Sequence, residues 1–130
     1  MALTTAVAEA IEELRGTFPD SSVTFVEDGE GGAWVTIDPV ETGIKLTPPA
    51  TWIGFHITFP YPDADIYPLF VTPDLAHVDG AGFGDGFALT QWGPTAAPAM
   101  QLSRRSNHMN SMIDNAPLKV LKVLKWLKTQ

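Results

Sequence analysis

The chain has 130 residues, 45% hydrophobic and 18% charged, a balance that fits one compact domain spanning 1–130. Cysteine is absent, which excludes disulfides, thiolate metal sites and a cysteine nucleophile in the chain as written. The net charge of −7 is unevenly spread: residues 1–103 set fourteen acidic groups against Arg15 and Lys45, whereas 104–130 set Asp114 against six basic groups. An acidic body repels phosphates, so nucleic acid is not an expected partner.

Residues 4–15 read as an amphipathic helix. Val7, Ile11 and Leu14 share one face, while Glu9, Glu12 and Glu13 avoid it. Thr4 or Thr5 can cap its start, the early glutamates suit the helix dipole, and Gly16 ends it. This start carries no basic secretory signal, and no apolar run is long enough to span a bilayer. A cytoplasmic protein without a membrane partner is expected.

Strands are predicted over 22–27, 33–38, 52–59 and 69–72, with "DGEGG" at 28–32 as a hairpin turn. In the third, Ile53, Phe55, Ile57 and Phe59 alternate with Gly54, His56 and Thr58, the pattern of an antiparallel sheet covered on one face. Residues 60–100 are dense in Pro and Gly and read as a long irregular segment, a feature often tied to function. Pro117 then suits a first helical turn, with Asp114 or Asn115 as cap. Val120, Val123, Leu124 and Leu127 make an apolar stripe opposite Lys119, Lys122 and Lys125. The predicted class is α+β, with helices packed on one side of a sheet.

Within the irregular segment, "FHITFPYPDADIYPLFVTPDLAH" runs from a strand through Tyr61-Pro62 and Tyr67-Pro68 to His77. "HVD" at 77–79, "DGFAL" at 85–89 and "QWGP" at 91–94 follow. In this order they resemble the ubiquitin-conjugating enzymes, and the tail resembles their bacterial relatives. Those relatives are encoded beside activating enzymes, ubiquitin-like proteins and JAB-type proteases, often in antiphage defence operons. The resemblance implies an N-terminal helix, a four-stranded antiparallel meander, a long active-site-like loop and a C-terminal helix. It also implies an acyl-transfer function in which a loop cysteine accepts a ubiquitin-like C-terminus as a thioester.

Ala88 stands at the expected cysteine position, with Gly84 and Asp85 as the next choices. Either the alanine is an engineered replacement or the chain is an inactive variant, an RWD-like binding scaffold. His77 and Asp79 would shape the site, His77 chiefly by hydrogen bonding to backbone. Asp79 stands where the family has an asparagine, and a carboxylate would repel a developing oxyanion. Tyr67, Pro68, Gly86, Trp92 and Pro94 would hold the loop.

An activating-type enzyme and a ubiquitin-like protein are the implied partners. Glu9, Glu12 and Glu13, or Arg104 and Arg105, are candidate contacts with them, set against plain solvated faces. No cofactor is implied. A metal site from Asp74, His77, Asp79 and Asp85 lacks the closing glutamate of a calcium loop.

Overall fold

The computed structural model describes residues 2–104 and 115–130. Helix α1 (Thr5–Thr17) leads into β1 (Ser22–Glu27), β2 (Ala33–Glu41), β3 (Leu46–Thr47), β4 (Ala50–Ile57), β5 (Leu69–Val71), β6 (Ala76–His77), β7 (Phe87–Trp92) and β8 (Ala97–Leu102). Helix α2 (Ala116–Lys128) closes the order. The class is α+β with a helix towards each end of the chain, as expected.

Six strands form an antiparallel sheet in the order β1-β2-β4-β5-β8-β7, and β3 pairs with β6 apart from it. The four predicted strands are consecutive neighbours in that sheet. The segment read as irregular adds two more as the β7–β8 hairpin. Neither of these strands carries the strict apolar alternation that marks a strand in sequence.

Thr4 caps α1, its hydroxyl accepting from the Val7 N–H at 3.2 Å. The helix runs through Gly16 to Thr17, and Phe18 N–H closes it on Leu14 O. No acidic residue lies in the first turn, so the glutamates do not serve the dipole as anticipated. Asn115 caps α2 by accepting from Leu118 N–H. Asp114, the alternative cap, lies outside the described residues.

Val7, Ala10, Ile11 and Leu14 of α1 share one core with Val120, Val123, Leu124 and Leu127 of α2. Val35, Ile37, Ile53, Phe55, Ile57, Leu69, Val71, Met100 and Leu102 meet them from the sheet. Both helices thus cover the same sheet face, and no helix among the described residues is long and apolar enough to cross a membrane.

Two residues depart from their expected burial. Phe59 is 60% exposed, because β4 ends at Ile57 and the chain turns, Tyr61 N–H bonding back to Thr58 O. Lys119 is only 7% exposed, although it was placed on the polar side of α2. Its ammonium donates to Asp65 Oδ2 at 3.1 Å and to Arg104 O at 2.7 Å. Burial lowers its pKa, an effect only partly offset by Asp65.

Candidate functional site

"DGFALTQWGP" is mostly strand. Phe87–Trp92 forms β7, at the sheet's edge, and Ala88 sits within it opposite Gln101, exposed to solvent. The segment 78–86 before it is tied down by rings. His77 tilts against Phe83 (4.5 Å between centroids), Phe83 stacks on Phe87 (4.2 Å) and Phe87 on Trp126 of α2 (5.2 Å). The Arg104 guanidinium lies 5.4 Å from the Trp126 ring centre. Gly86, at φ 95°, packs beside Trp126, and its carbonyl accepts from Ser103 N–H at 2.8 Å.

His77 lies on β6, with Nδ1 2.9 Å from Ala81 O and Nε2 2.8 Å from Gln130 O. Both ring nitrogens face acceptors, so neither presents a lone pair to a substrate as a general base must. Asp79 Oδ1 accepts from Ala81 N–H at 2.9 Å, a local side-chain turn. Asp85 and Gly84 are exposed in the turn before β7, and Pro94 is exposed between β7 and β8. Thus His77 and Asp79 meet at Ala81, and Ala88 belongs to the hairpin.

Glu9, Glu12 and Glu13 are exposed along α1, with Glu12 paired to Arg15 at 2.5 Å. Arg104 is exposed, and Arg105 lies outside the described residues. Tyr61 is buried, its hydroxyl accepting from Ala116 N–H at 2.9 Å and so serving the start of α2. Among the described residues, no three His, Asp or Glu side chains group as metal ligands.

The largest unanticipated feature lies on the sheet face away from the helices. Trp34 stacks on His56 (3.9 Å), and Trp92 stacks on both Trp52 and Phe70 (5.6 Å each). Trp34 meets Trp92 edge-on at 6.2 Å. Gly54 makes this possible, since a β-carbon there would collide with the Trp92 ring. Trp92 is an anchor, then, but for this face and not for a loop.

His56 Nε2 lies 2.7 Å from Asp28 Oδ2, and Asp28 Oδ1 accepts from the Glu30 and Gly32 N–H groups of the β1–β2 turn. Gly29 and Gly31 supply the positive φ this turn requires. Burial alone would raise the Asp28 pKa, but the hydrogen bonds from His56 and the two amides outweigh it and leave it lowered. Beside these rings opens a recess of about 480 Å³, lined among others by Trp34, His56, Asp65, Tyr67, Phe70 and Trp92. The sequence signal was present in Trp34, Trp52 and His56, aromatic residues at alternation positions where a solvated sheet face needs none.

No family model, curated protein or solved structure matches this chain.

Proposed function

We propose that this chain is a conjugating-enzyme-like scaffold, cytoplasmic and without catalysis of its own, that docks an activating-type enzyme or a ubiquitin-like protein. The reading rests on the ordered motifs from His77 to Pro94 and on the consecutive run of β1, β2, β4 and β5. One observation favours scaffold over disarmed enzyme: the His77 ring nitrogens are both taken up by main-chain oxygens, Nδ1 by Ala81 O and Nε2 by Gln130 O. Asp79 is spent on its own turn, and Ala88 stands in a paired strand, not on a presenting loop.

The decisive experiment installs cysteine in turn, as Ala88→Cys, Gly84→Cys and Asp85→Cys. Each variant is incubated with ATP, a bacterial activating-type enzyme and its ubiquitin-like protein. The scaffold reading expects no thioester on any of them, together with measurable binding of the unaltered chain to one of the two proteins. A product lost on thiol reduction would restore the enzyme, since charging requires near-attack geometry at the sulfur. Absence of binding to both proteins would remove the family reading altogether.

A further inference from the structure

We propose that the recess on the open sheet face binds an alkylated ammonium group, carried on a small molecule or on a methylated lysine side chain. This inference does not rest on the scaffold reading: Tyr67 and Trp92 also fall in the motifs of the resemblance, but they are used here only as rings lining the recess.

The rings come first. Trp34, Tyr67, Phe70 and Trp92 line one recess of about 480 Å³, a size within the ordinary range for small-ligand sites. Indole and phenyl faces carry a negative quadrupole, which attracts a cation too weakly hydrated to prefer water. The rings are also held before any ligand arrives: Trp92 by Trp52 and Phe70, Trp34 by His56, and His56 by Asp28. A site fixed in advance loses little ordering entropy on binding.

Charge decides the class of ligand. Among the described residues no Lys or Arg lines the recess, and Asp65 is a carboxylate in its wall. Asp65 also pairs with Lys119, whose side chain is buried and outside the lining. A second carboxylate, Asp28, lies 2.7 Å from His56 Nε2, its side chain 8% exposed and its pKa lowered. A primary ammonium would lose strong hydration on entering such an apolar cleft. Alkyl groups remove that penalty and present methyl surface to the rings, so the alkylated form is selected.

The test uses the whole chain, titrated with choline and with the neutral alcohol in which a tert-butyl group replaces trimethylammonium. Isothermal calorimetry measures affinity, and proton–nitrogen NMR reports which indole N–H signals move. Choline should bind saturably, shift Trp34 and Trp92, and exceed its neutral isostere by about tenfold. A peptide bearing trimethyllysine is the second arm. Tighter binding of the peptide names a protein side chain as the source, and tighter binding of choline names a small molecule.

Gln91 is exposed and lines the rim, so it tolerates exchange without threatening the fold. Gln91→Lys should weaken binding several-fold and Gln91→Glu strengthen it. Equal affinity for the neutral isostere would overturn the proposal. So would saturable binding of methyl glucoside at the same indoles, failure of both ammonium arms to saturate, or indifference to the charge at position 91.

Discussion

On β4, Ile53, Phe55 and Ile57 point beneath the helices, while Trp52, Gly54 and His56 point the other way. The first set is closed by two helices and fully buried. Among the described residues the second is covered by Trp34 and Phe70 from the adjacent strands β2 and β5 and by Trp92 from β7. One strand therefore serves two kinds of surface. The helix side stabilises by excluding water, whereas the open side holds its rings by stacking on one another. A surface of the second kind keeps ring area available to a partner.

The contrast can be broken most forcefully from the helix side. Phe55→Ala should lower unfolding free energy by about 3–5 kcal/mol in denaturant titration, since the ring is fully buried and leaves a cavity. From the open side, Gly54→Ala should cost about 1–3 kcal/mol, because the new methyl displaces Trp92. The same variant should disperse the Trp34 and Trp92 indole resonances while core methyl signals hold still. If core methyls moved as much, the two faces would be one packing unit.

Tyr61→Phe leaves the Ala116 N–H without its acceptor and should cost about 1–2 kcal/mol. The loss should show first as faster amide exchange at the start of α2.

Asp28 supplies a pH test of the open face. Its lowered pKa means that folding is favoured above the ordinary carboxylate value and that this contribution fades as pH falls through the native value. The unaltered chain should lose more stability between pH 6 and pH 3 than Asp28→Asn does, as read from denaturant midpoints. Smallest of all, Thr90→Ser on exposed β7 should change stability by less than about 0.5 kcal/mol.

Sequence periodicity reached the helix side well because burial there obeys a simple alternation. Val35, Ile37, Ile53, Phe55 and Ile57 are legible in the sequence, and each helix start is legible to within a pair, Thr4 or Thr5 and Asp114 or Asn115, of which Thr4 and Asn115 cap. Phe59 was misjudged because alternation does not announce where a strand stops, and Pro60 and Pro62 were the nearest cue. β7 and β8 were missed because each is anchored by pairing across the hairpin, and Ala88, Thr90, Ala97 and Ala99 carry little hydrophobic contrast.

The open face was hidden for another reason. Its rings come from four separate strands, and no single stretch shows that Trp52 and Trp92 will meet. Lys119 illustrates the same limit, since its helical position gave no hint of Asp65, 54 residues away in sequence. The site residues from the resemblance can be located at once, but sequence does not reveal that His77 turns both nitrogens towards main-chain oxygens.

The stacked indoles of Trp52 and Trp92 have an optical consequence. Two indole transition dipoles with ring centres 5.6 Å apart and planes inclined by 20° share their excitation. Such a pair produces a coupled, two-signed circular dichroism band that an isolated indole lacks. Trp126, the remaining tryptophan of the chain apart from Trp34, lies on the helix side against Phe87 and has no indole neighbour in that stack. Melting followed by the coupled band therefore reports the open sheet face alone, while backbone ellipticity follows the helices. A difference between the two midpoints would measure, without any label, how independently the two faces come apart.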